Sequence, residues 1–143
     1  MGNYSSTKAE IYNYIRARTP LIIVDSSERE RVERILKEIA RELNINISYY
    51  TDSKQVCALN SNVSKDVDSD PLQYLASSFK KNRNSTFAFG DVKRIGEDNV
   101  YSREILNILY LAKETNCMLI LITADPVWSR LSQFGMLTSL DYP

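Results

Sequence analysis

The chain has 143 residues, 43% hydrophobic and 25% charged, with 18 Lys plus Arg against 18 Asp plus Glu and no histidine. That length and apolar content suit one globular domain around a single core. Zero net charge provides no field toward nucleic acid or anionic membrane, and the missing histidine excludes Ser-His, Cys-His and zinc-histidine chemistry within the chain. Cys57 and Cys117 form no CxxC and read as reduced thiols. The longest apolar run, CMLILITA, is too short to cross a bilayer. The expectation is a cytoplasmic protein without membrane contact.

In chain order, residues 7–18 space Ile11 and Ile15 four apart and predict a leading helix, which Pro20 ends because the residue before proline avoids the α region. Leu21 to Val24 is a continuous aliphatic run, the pattern of a strand buried on both faces. Ser27 with Glu30 three residues later is a capping-box pattern. Val32, Ile35, Leu36, Ile39 and Leu43 then give the following helix one apolar face. Residues 46–51 predict a second strand, and the polar stretch 58–70 a mobile loop. Asp70-Pro71 opens a helix through Leu72, Leu75 and Phe79 to Lys80-Lys81, with Asp as N-cap and Pro at the first helical position. TFAF, 86–89, predicts a third strand that ends in Gly90-Asp91. A helix over 99–115, a buried strand over 117–123, a short helix over 128–134 stopped by Gly135 and a final strand over 136–142 complete the chain. Alternation of aliphatic strands and helices means an α/β three-layer sandwich with a mostly parallel sheet of four or five strands and right-handed crossovers, one domain over 1–143.

Ligands of open α/β sheets bind outside the carboxyl ends of the strands. There the sequence places Asp25, Ser26, Asp52, Asp91, Thr123 and Asp125. Asp25, Asp91 and Asp125 could together hold Mg²⁺ for phosphoryl transfer or phosphodiester chemistry. Against this, Asp is common at strand ends because it caps helices and favours turns. A phosphate loop needs glycines and a lysine, and Gly2, Gly90, Gly96 and Gly135 include none before Lys-Ser or Lys-Thr. Glu28 and Glu30 complement the helix dipole themselves and repel a phosphate. The residues therefore assign no catalytic, cofactor-binding or metal-binding role, and no cofactor. Lys80, Lys81 and Arg83 read as a solvated helix terminus rather than a nucleic-acid patch. Tyrosine is enriched at protein interfaces, although core edges account for most of the nine here.

The opening IRARTPLIIVDSSERERVERIL resembles the N-terminal, non-catalytic domain of the AAA-family ATPases of cyanobacteria, algal chloroplasts and other bacteria. The matching residues are Ile15, Arg16, Ala17, Arg18, Pro20, Leu21, Ile22, Ser26, Glu28 and Arg31. Asp70-Pro71, Leu75, Phe89, Asp91, the strand at 119–122 and the closing LDYP follow in the family's order. Two features depart from the family: Tyr49-Tyr50 stands where it tends to carry Trp, and no AAA module with its phosphate loop is in the sequence. The resemblance implies a P-loop-NTPase-like (RecA- or AAA-like) topology lacking the P-loop. It also implies a structural role for Arg18, Pro20, Ser26, Glu28 and Arg31. Partners would be proteins, whether the AAA module, neighbouring subunits or another protein, and not nucleic acid.

Overall fold

The computed structural model describes residues 3–51, 55–59, 63–66, 70–90 and 95–140. In chain order the elements are α1 (Tyr4–Arg16), β1 (Leu21–Asp25), α2 (Arg29–Leu43), β2 (Ile47–Thr51), β3 (Gln55–Ala58), β4 (Val63–Asp66), α3 (Pro71–Lys81), β5 (Thr86–Phe89), α4 (Val100–Thr115), β6 (Met118–Thr123), α5 (Ser129–Ser132) and β7 (Gly135–Ser139). Their strands form one sheet in the order β4-β3-β2-β5-β6-β1-β7. The pairs β2–β5, β5–β6, β6–β1 and β1–β7 are parallel, while β2–β3 and β3–β4 are antiparallel.

Period-two alternation divides the core. Leu21, Ile23, Phe87, Leu119 and Leu121 face α3, α4 and α5, whereas Ile22, Val24, Ala88, Ile120 and Ile122 face α1 and α2. Every residue of β5 and β6 is buried. This explains why these strands read as unbroken aliphatic or aromatic runs. The chain travels from β1 to β2 under α2 on one face and returns through α3, α4 and α5 on the other. Opposite directions on opposite faces give all crossovers one hand.

The sheet is wider than the four or five strands expected, because the β3–β4 ribbon extends it beyond β2. That ribbon includes part of the 58–70 stretch expected to be a loop. Val-Ser-Lys-Asp is too polar for a strand buried on both faces, but an antiparallel edge strand needs only its backbone to pair.

The expected capping box at Ser27 and Glu30 does not form the helix start. The N-cap of α2 is Glu28, with no side-chain cap hydrogen bond. Instead the ladder runs on past β1, the Ser26 N–H donating to the Thr123 carbonyl at 3.1 Å. That carries Ser27 outside the helix. Asp70 and Pro71 occupy the positions expected at the start of α3, although Asp70 caps through no side-chain bond. Two capping boxes stand elsewhere, Asn3 with Ser6 on α1 and Asn99 with Ser102 on α4.

No described helix is long and apolar enough to cross a membrane.

Candidate functional site at the carboxyl rim of the sheet

β1 and β6 are neighbours whose connections leave in opposite directions, through α2 to β2 and through α5 to β7. Their carboxyl ends therefore form the switch-point crevice where α/β sheets place ligands. Each of the two strand ends folds into a turn closed by its own hydroxyl. Buried Ser26 accepts from the Glu28 N–H through Oγ at 3.0 Å, and buried Thr123 accepts from the Asp125 N–H through Oγ1 at 3.0 Å. Glu28 then pairs with Arg31 at 2.6 Å, both side chains about four-fifths covered. The same guanidinium lies over the Tyr4 ring, 5.9 Å from its centroid, and the Tyr4 hydroxyl donates to Glu38 at 2.8 Å. Glu28 and Arg31 thereby link the start of α2 to α1.

The neighbouring end of β5 is filled. A methyl group built on Gly90 would lie 2.6 Å from the Tyr49 hydroxyl and 3.1 Å from Arg29 Cδ. The backbone of Gly90 is therefore covered by the Tyr49 and Arg29 side chains.

Farther along the rim, Gly96, Glu97, Asn99, Asp125 and Pro126 line a cleft of about 570 Å³. Much of its hydrogen-bonding capacity is used internally. The Asn99 side chain accepts from the Ser102 N–H at 2.8 Å, and the buried Ser102 hydroxyl donates to the Glu97 carbonyl at 2.7 Å. Arg103 makes a two-pronged contact with Asp98 at 2.6 and 2.9 Å, and these bonds hold the Asp98 carboxyl below its usual range. What remains toward solvent is acidic, Glu97 and Asp125.

Of the three carboxylates considered for Mg²⁺, Asp25 and Asp125 are exposed at the ends of adjacent strands, and Asp91 lies outside the described residues, as does Asp52. Among the described residues no three His, Cys, Asp or Glu side chains come together in a metal-holding group.

The motif residues divide between the two ends of β1. Ser26, Glu28 and Arg31 stand at the carboxyl rim. Arg18 and Pro20 stand at the amino rim, where the Pro20 carbonyl accepts from the Leu119 N–H at 2.9 Å and begins the β1–β6 ladder. Arg18 has φ 58°, and its guanidinium donates to the Asn116 carbonyl. The roles of Tyr49 over Gly90 and of the Asn99–Ser102 box escaped the sequence reading. An Asn-x-x-Ser spacing before an apolar helical pattern could have revealed the second.

A family model for the N-terminal domain of SpoVK-like AAA ATPases matches residues 7–134, from the first turn of α1 to the residue before β7. No curated protein and no solved structure matches the chain. The matched span covers the motif residues at both ends of β1 and most of the sequence. The chain belongs to the SpoVK-like AAA ATPase N-terminal domain family.

Proposed function

We propose that this chain is a non-catalytic scaffold and protein-interaction domain of a cytoplasmic AAA-family ATPase, with no nucleotide hydrolysis of its own. The observation that carries the reading is the junction of β1 and α2. There Ser26, Glu28 and Arg31 satisfy one another in the place where a nucleotide-binding fold would hold phosphate. The Glu28 carboxylate occupies the Arg31 guanidinium and the Ser26 hydroxyl occupies the Glu28 N–H, so groups that a phosphate would use are already engaged. The strand order β2-β5-β6-β1-β7 supports a P-loop-NTPase-like topology built without the loop. Ser26, Glu28 and Arg31, with Arg18 and Pro20, act in this reading as structural residues, and the whole of 1–143 serves as one domain. Its partners are proteins: an AAA module, neighbouring subunits or another protein.

A thermal melt with and without Mg²⁺ and ATP tests the absence of a nucleotide site. A ligand at one hundred times its Kd would stabilise the native state by about 2.7 kcal/mol. In a domain of this size that is a shift of roughly 5–10 °C. The expected result is a superimposable melt. A shift with Mg²⁺ alone would instead favour a carboxylate site at Asp25, Asp91 and Asp125, and a shift with ATP a nucleotide site.

A further inference from the structure

At the opposite end of the sheet, the amino rim holds a second cleft, of about 450 Å³, lined by Arg18, Asn46, Ser48, Ser78, Asn84 and Ser85 among others. We propose that this cleft binds an acidic segment of a partner protein, with Arg18 receiving one of its carboxylates. The inference rests on the reading of the chain as an interaction domain.

Three observations carry it. First, Arg18 is held in the left-handed region at φ 58°, where the other non-glycine residues with positive φ among those described are Asn44, Asn84 and Asn116. Asparagine occupies that region readily and arginine does not, so the backbone here accepts strain for a particular side chain. Second, that side chain lines the cleft and has capacity left over. A guanidinium carries five N–H donors, and the bond from Arg18 reaches one acceptor, the Asn116 carbonyl. Third, cations outnumber carboxylates at this rim. Lys80 and Lys81 end α3 and Arg83 follows it at this rim, and none of them, nor Arg18, has a carboxylate within ion-pair distance among the described residues.

Part of this positive charge answers the exposed carbonyls at helix carboxyl ends, as Arg83 does in donating to the Glu114 carbonyl at 3.1 Å. That role uses single N–H groups and leaves the planar fork of Arg18 available for a carboxylate. The remaining lining suits a peptide. Asn84 gives its side-chain oxygen to the Asn116 amide at 2.6 Å, so its own NH₂ group remains a donor for a main-chain carbonyl. A nucleic-acid strand would look for stacking platforms and a track of cations, but the aromatic residue of this cleft, Phe87, is buried in the core.

The probe is a synthetic peptide of six glutamates with blocked ends, titrated into ¹⁵N-labelled protein, with a hexaglutamine peptide as control. Expected are shifts of the Arg18 Nε–H and of the Asn46 and Asn84 side-chain amides with the acidic peptide alone. Affinity should fall at least tenfold on raising salt from about 50 to 300 mM, as screening at that strength demands, and by a similar factor in Arg18→Gly. Glycine accepts the same φ, so that variant keeps its fold, and its unchanged amide spectrum elsewhere checks this. Failure of the acidic peptide to move these signals at millimolar concentration overturns the proposal. So does equal binding by Arg18→Gly, which would mean diffuse attraction to the lysines. Tighter binding of a single-stranded oligonucleotide at the same signals would replace the acidic segment with nucleic acid. A null titration alongside an unchanged Mg²⁺–ATP melt removes the cleft alone and leaves the scaffold reading standing.

Discussion

Arg18 offers a substitution whose two effects have opposite sign and similar size. It occupies the position after the C-cap of α1, with its N–H donating to the Ile15 carbonyl at 3.1 Å and the Thr19 N–H to the Tyr14 carbonyl at 3.2 Å. These are the two bonds of a Schellman closure, whose left-handed residue is ordinarily glycine. For an L-residue that conformation costs about 1–2 kcal/mol, while the hydrogen bond to Asn116, from a half-buried side chain, returns about 0.5–1.5 kcal/mol. Arg18→Ala keeps the strain and loses the bond, so it should destabilise by roughly 1 kcal/mol. Arg18→Gly loses the bond and the strain, but it adds about 0.5–1 kcal/mol of chain entropy to the unfolded state. The terms nearly cancel, and Arg18→Gly should lie within about 0.5 kcal/mol of the parent and above Arg18→Ala. Urea unfolding with unchanged m values for all three chains measures the order. Equal losses in both variants would refute the strained backbone, because only the side chain would then matter. A loss from Arg18→Gly larger than from Arg18→Ala would refute the closure itself.

Two further outcomes follow from the packing and the charges. In Gly135→Ala the new methyl would stand 1.7 Å from the Leu21 carbonyl oxygen and 2.5 Å from its carbon, backbone atoms that cannot rotate away. Overpacking of this kind costs at least about 1–3 kcal/mol, and hydrogen exchange should show β7 amides opening before those of β6; an unchanged melting temperature would contradict the close approach. The Glu38 carboxyl is held below its usual range, first by the Tyr4 hydroxyl bond and then by Lys8. A depressed carboxyl adds stability that is present above its unfolded value of about 4.3 and lost as pH falls through the folded value. Glu38→Gln should therefore flatten the fall in melting temperature between about pH 5 and 3, by roughly 0.2–1 kcal/mol at this part-exposed site; an identical pH profile would show the pair to be idle.

The strands most legible in the sequence are those buried on both faces. β1, β5 and β6 have no solvent side apart from Asp25, so nothing interrupts their apolar runs. α2 was legible for the complementary reason that it has two distinct sides, with Val32, Ile35, Leu36 and Ile39 all inward. The β3–β4 ribbon was not, because an edge ribbon is specified by backbone pairing and leaves little mark on side-chain type. The Ser27–Glu30 pattern misled because a local motif competed with a longer-range one: continuing the β1–β6 ladder through Ser26 fixed the chain before the helix could begin. At the candidate sites the residue types were readable and their geometry was not. No local pattern announces that an arginine will take a left-handed φ, or that Tyr49 on one strand will cover Gly90 at the end of another.

The balanced net charge conceals a polarity along the sheet. Glu28, Glu30 and Asp70 stand at the starts of α2 and α3, while Arg16, Arg41, Lys80, Lys81 and Lys113 stand at the ends of α1 to α4. In a parallel α/β sheet the helices between strands run antiparallel to them, so every helix start lies at the carboxyl rim and every helix end at the amino rim. Each of these charges complements the dipole of its own helix. Although Arg29 and Arg31 at the start of α2 and Glu42 and Glu114 at the ends of α2 and α4 offset part of the pattern, carboxylates predominate at one rim and cations at the other. A phosphate approaching the carboxyl rim meets carboxylates where a nucleotide-binding fold would offer free N–H groups. An acidic ligand is driven toward the amino rim instead. The same distribution that stabilises the helices one at a time thus closes the rim where α/β sheets ordinarily bind and directs anionic partners to the other.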